Sequence, residues 1–172
     1  QPDVRRARAF SLSMIPPGTF FALAGPSALS AFRAARLLST VQAIEATAEQ
    51  VVAQYVHFVH TERALDPGEG ARLEALLSYG EAAAPAREGA DFLVVPRLGT
   101  ISPWASKATD IAHNTGLSAV LRIERGVRYG IGFKWRLLGA KALTVDAKER
   151  IAAALHDRMT ESVVEPSIDP AL

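Results

Sequence analysis

The chain has 172 residues, 49% of them hydrophobic, enough for one ordinary domain or two small fused halves to bury a core. Lys and Arg number 19 against 18 Asp and Glu, so no net field gathers a polyanion, and a nucleic-acid partner is not expected. The absence of cysteine excludes disulfides, thiolate metal sites and a cysteine nucleophile, and fits a reducing cytoplasm.

Residues 1–17 read as a loose extension. Arg5, Arg6 and Arg8 precede Phe10, Leu12 and Met14 as in a targeting peptide, but the apolar stretch is short and meets Pro16 and Pro17. The apolar run from Gly18 to Ala24 is a strand's length, far below the ~20 residues of a membrane span. Thr19 to Ala24 is predicted as the first strand, ended by Gly25 and Pro26, which open a helix with Ser27 in its first turn. In that helix, Pro26 to Gln42, the spacing of Ser30, Arg33, Arg36 and Thr40 leaves Ala28, Leu29, Phe32, Ala35 and Leu38 for the core. Gln50 to Val59, rich in valine and aromatics on both alternation sets, predicts a central strand. Asp66, Pro67 and Glu69 supply an N-cap, an N1 proline and a capping-box acid for a helix that buries Leu73, Leu76 and Leu77 and ends near Gly80. Residues 81–90, alanine-rich with Pro85, form a surface connector.

The order of elements then recurs. Phe92 to Val95 predicts a short strand, and Ser102 with Pro103 opens a helix to Thr115. Trp104, Ala108, Ile111, Ala112 and Thr115 share one face of it, and Gly116 stops it. Leu121, Ile123, Val127, Tyr129, Ile131 and Phe133 alternate with polar residues and glycines as one long strand, and only Arg125 interrupts the apolar set. Thr144 or Asp146 caps a last helix with Ile151, Ala152, Leu155 and Met159 as its buried stripe, and Val163 with Val164 adds a short strand. The predicted fold is α+β with antiparallel sheets. Its halves, about 18–80 and 91–165, each run strand, helix, strand, helix and pack as two similar layers of a fused pseudo-dimer; residues 166–172 begin a linker.

Catalytic patterns are sparse. His57 and His60 lie three apart on a strand, so they point to opposite faces and cannot readily share a metal. His113 and Asp110 can touch on a helix, but no nucleophile elbow accompanies them, and a solvated helix face is the plainer reading. Gly126, Gly130 and Gly132 sit inside a strand pattern, where glycine permits close packing rather than phosphate cradling. Arg122, Arg125 and Arg128 lack the paired aromatics of an RNA-binding sheet and read as a salt-bridged or interface face. The segment from Val95 to Trp104 is more specified than a plain connector. Gly99 allows a sharp turn, Pro96 and Pro103 stiffen its flanks, and a helix start with Ser102, Ser106 and Lys107 beside it has the ingredients of an anion contact.

The stretches PRLGTISPWASKATDIAHNTGL and RIERGV, with GPSALSAFRAARLL, QYVHFVHTERAL and LHDRMTE, resemble the amino-terminal domain of the large bacterial phosphoribosylformylglycinamidine synthases over most of Pro26 to Glu161. The resemblance implies a piece of an ATP-dependent ligase of purine biosynthesis, which converts formylglycinamide ribonucleotide to its amidine with ammonia from glutamine. It implies a domain similar to a dimer of the small PurS subunit of the multi-subunit enzyme. It places ATP, magnesium and the glutaminase cysteine in other domains of a longer cytoplasmic chain, so that no catalytic, cofactor or metal residue is expected here. What remains is scaffolding between synthetase and glutaminase domains, which also shields ammonia. Arg97, Thr100, Ser102, Trp104, Ser106 and Lys107 are the residues expected to face the synthetase site or a domain interface. The sequence departs from the pattern at Thr115, where relatives often have cysteine, at Ala105, where serine is usual, and in a longer Phe133 to Ala142 link. Two other readings compete: a free-standing ferredoxin-like small-molecule-binding regulatory module, and a small hydrolase using His113 and Asp110.

Overall fold

A computed structural model describes residues 20–134 and 143–164. The expected extension at 1–17, most of the long Phe133 to Ala142 link and the linker at 166–172 lie outside the described residues. The elements run in the order β1 (Phe20–Ser27), α1 (Ala31–Gln42), β2 (Ala48–Thr61), α2 (Pro67–Leu77), β3 (Gly89–Pro96), α3 (Pro103–Asn114), β4 (Val120–Phe133), α4 (Val145–Leu155) and β5 (Glu161–Val164).

The strands form one antiparallel five-stranded sheet in the order β1-β2-β4-β3-β5. The halves therefore do not stack as two layers. They join edge to edge, because the longest strands pair with each other and satisfy along one seam the backbone groups that two separate sheets would leave open. The twofold relation is internal to this sheet. Both β2 and β4 have 14 residues, α1 and α3 have 12, α2 and α4 have 11, and β1 and β3 have 8. Ala53 pairs with Tyr129 and His57 with Arg125, pairings that exchange when the halves are exchanged, so the pseudo-axis passes the Tyr55–Val127 pair.

Alternation puts Val51 and Val59 of β2 on the same face as Ile123 and Ile131 of β4. All four helices cover that face. Helices α2 and α3 close a core around Val59, Leu73, Leu77, Ala112 and Ile123, while α1 and α4 close another around Val41, Val51, Phe92, Ile131 and Ile151. The opposite face of the sheet carries the glycines of β4. A Cβ at Gly130 would sit 2.7 Å from Ala86, and one at Gly132 would sit 2.8 Å from Arg87, so the bare strand is the seat on which the connector after α2 lies.

Several local expectations are corrected. Gly25 and Pro26 do not end β1 or open a helix; they mark an irregularity in an edge strand, where a missing N–H is tolerated, and the strand continues to Ser27. The α1 helix starts four residues after the strand ends, with Ser30 as N-cap. Its buried stripe is correspondingly rotated: Val41 is fully buried, Leu37 and Leu38 pack beside it, Ala35 is exposed and Phe32 is 71% exposed. Leu121 and Met159 also stand in solvent. The ladder shifts register between His60 and Thr61, where β2 meets the start of β4, and α4 stops at Leu155, before Met159. Ile111 and Thr115 are exposed as well, the first on the rim of the space between α2 and α3 and the second at the C-cap of α3.

Candidate functional site

The start of α3 is built from a turn and a carboxylate. Arg97 N–H donates to Thr160 O (2.8 Å), Thr100 N–H returns to Arg97 O (3.1 Å), and Gly99 takes the left-handed φ of 80° that a residue with a Cβ adopts only with strain. Ser102 then caps α3: its Oγ accepts from Ala105 N–H (3.0 Å) and donates to Glu124 Oε1 (2.7 Å), while its own N–H reaches Glu124 Oε2 (3.3 Å). Arg122 ties this together, donating to Glu124 Oε2 (2.8 Å) and to Thr100 O (3.0 Å). The helix N-terminus thus already holds an anion, the Glu124 side chain. Burial disfavours that carboxylate's charge, but hydrogen bonds from Ser102, Arg122 and the Arg125 backbone outweigh it and hold its pKa below the ordinary value.

Beside this start lies an aromatic stack that sequence reasoning missed. Arg125 is the charged residue that interrupts the apolar face of β4. Its guanidinium lies over the rings of Tyr55 (4.1 Å) and Trp104 (4.5 Å) and donates to Tyr79 Oη (3.2 Å). His57, its cross-strand partner, is fully buried, stacks on Trp104 at 5.8 Å and shares a hydrogen bond with Tyr79 Oη (2.8 Å). Its Nδ1 has no hydrogen-bond partner. Burial first, and the Arg125 charge second, lower the His57 pKa to about 4 against a smaller opposing contact with the Leu23 backbone, so the ring is neutral near pH 7. The signal for this site was present in the break at Arg125; its aromatic partners come from distant segments and could not be paired by spacing.

Of the residues singled out in the sequence, Ser102 and Trp104 are half-buried in these two networks, whereas Arg97, Thr100, Ser106 and Lys107 are exposed around them. Lys107 borders a space of about 190 Å³ between α2 and α3, lined also by Leu76, Tyr79 and Ile111. Leu98 and Ile101, which the sequence reading passed over, are 71% and 65% exposed on the turn itself. His57 and His60 do face opposite sides, His60 stacking on Phe20 at 4.2 Å. His113 meets the Val120 carbonyl (2.6 Å). Arg122 and Arg128 are ion-paired with Glu124 and Asp91. Among the described residues no group of three or more His, Asp or Glu is placed to hold a metal ion, and no helix is long and apolar enough to cross a membrane.

Fold and site together define an α+β domain of two fused, twofold-related halves that share one sheet, with a rigid apolar-tipped turn leading into α3. Residues 54–171 match the family described as formylglycinamide ribonucleotide amidotransferase N-terminal, and the chain belongs to that family. It is the N-terminal part of the phosphoribosylformylglycinamidine synthase of purine biosynthesis.

Proposed function

We propose that this domain docks and positions the rest of the enzyme, and that the turn and α3 start carrying Arg97, Thr100, Ser102, Trp104, Ser106 and Lys107 are its contact with the synthetase and glutaminase domains. The observation that carries this reading is the exposure of Leu98 and Ile101 on a turn pinned from both sides, by Thr160 at Arg97 and by Arg122 at Thr100. An exposed apolar tip on a fixed backbone loses little conformational freedom on docking, so more of its burial appears as binding. Arg97, next to Leu98 in the chain, is exposed on the same turn, and Lys107 is exposed one turn into α3. In this reading the ATP, the magnesium and the glutamine-cleaving cysteine of a cytoplasmic ligase belong to other domains, and this part shields ammonia by keeping those domains in register.

The test compares glutamine-dependent with ammonia-dependent turnover in the full-length enzyme. Leu98→Asp with Ile101→Asp, and separately Trp104→Ala with Lys107→Ala, are expected to depress the glutamine-dependent rate while sparing the ammonia-dependent one. Unchanged glutamine-dependent turnover in both pairs would sink the proposal, as would ATP or glutamine hydrolysis by the 172-residue chain alone.

A further inference from the structure

The internal twofold gives the molecule two related clefts, one between each pair of helices. Between α2 and α3, the second residue of α3, Trp104, is seated on Arg125 and His57. Between α1 and α4, the second residue of α1, Phe32, is 71% exposed, and the place of Arg125 is taken by Ala53. No aromatic of α1 plugs that cleft, which measures about 350 Å³, in the range of small-ligand pockets.

Its walls include Leu29, Leu37 and Leu155, and the polar groups lining it are Arg33, Arg36, Thr40 and Tyr129. Among the described residues, neither arginine has a carboxylate within ion-pairing distance. The Thr40 hydroxyl is committed to the Arg36 carbonyl (3.3 Å). Tyr129 makes no side-chain hydrogen bond to another described residue. Its pKa is raised, by burial first and then by Glu161, against the opposing charge of Arg33, so its hydroxyl remains a donor. The Glu161 carboxylate is itself engaged by Asp157 N–H (2.8 Å). The lining thus offers two cations and one neutral donor, and the Glu161 charge, which the Asp157 N–H does not cancel, acts on Tyr129 from outside it. Two guanidiniums a helical turn apart repel each other, and an acceptor-only dianion bridging them removes that cost.

We propose that the cleft between α1 and α4 binds a small phosphate monoester with an apolar body. The phosphate sits between Arg33 and Arg36 within reach of the Tyr129 hydroxyl, and the body lies against Leu29, Leu37 and Leu155. Phosphate fits better than carboxylate because it carries close to two charges and three strong acceptor oxygens, matching two guanidinium forks and a phenol.

The 172-residue chain titrated with phenyl phosphate, inorganic phosphate, benzoate and phenol, followed by amide chemical shifts, tests this. Phenyl phosphate is expected to give saturable shifts along α1 and α4, with inorganic phosphate competing and affinity falling as NaCl rises. Arg33→Gln with Arg36→Gln is expected to weaken binding roughly tenfold or more, and Tyr129→Phe less. Unchanged circular dichroism separates lost binding from lost fold, and Arg36→Lys, which keeps charge but loses the fork, serves if the double variant unfolds. No saturable shift, or undiminished binding in the arginine variants, overturns the site. Benzoate binding as tightly as phenyl phosphate overturns the phosphate assignment and makes the cleft a seat for a carboxylate.

Discussion

His57 shows how much one residue depends on its surroundings. Its ring abuts Gly25, where an added Cβ would lie 2.5 Å from Cε1. Because Trp104, Tyr79 and Gly25 surround the ring, it cannot swing aside cheaply, and Gly25→Ala is expected to cost about 1–3 kcal/mol, read as a lower midpoint in urea. The same burial makes His57 pH-sensitive. Its pKa falls from 6.5 to about 4 on folding, so the unfolded chain binds the proton first. Its contribution is complete above pH 6.5 and erodes as pH falls towards 4, by up to ~2–3 kcal/mol. Glu124 and Glu69, whose pKa values are lowered on folding, act below their ordinary value of 4.5, leaving the interval above it to His57. Urea melts at successive pH values should show the loss between about 6.5 and 4.5, and His57→Gln should flatten it.

Among the elements, α2 was the most legible, because its start is written in consecutive residues. Asp66 Oδ1 accepts from Glu69 N–H (2.8 Å), Glu69 Oε2 accepts from Asp66 N–H (2.9 Å), and Pro67 stands first in the helix. Replacing Asp66 with Ala is expected to cost about 1 kcal/mol, measurable as a lower melting temperature. The start of α1 was less legible, since Gly25 and Pro26 carry the same stop signal whether a strand ends or merely kinks, and only pairing with β2 distinguishes the two. The connector after α2 depends on a neighbour remote in sequence. Gly130→Val should push Ala86 off β4, and limited proteolysis should then cut faster within residues 83–88 while the helices remain protected.

At the scale of the whole molecule, the seam between β2 and β4 decides behaviour. The two strands pair along nearly their full lengths, from Ala48–Phe133 to Thr61–Val120, so a half that stayed folded alone would expose the whole long edge of β2 or β4. Unfolding is expected to be a single transition, with helix loss by circular dichroism and exchange of β1 and β3 amides reporting one free energy; two separable transitions would contradict the seam. The sequence by itself determined the number and order of elements, the α2 and α3 caps, the α+β class and the family resemblance. These depend on residues close along the chain, on alternation and on contiguous motifs. Only the tertiary structure decided that the halves merge in one sheet, that Glu124 occupies the start of α3, and that Arg125 lies between Tyr55 and Trp104. Each of these pairs residues from distant segments, and which strand edge or ring closes on which is fixed by packing rather than by local pattern.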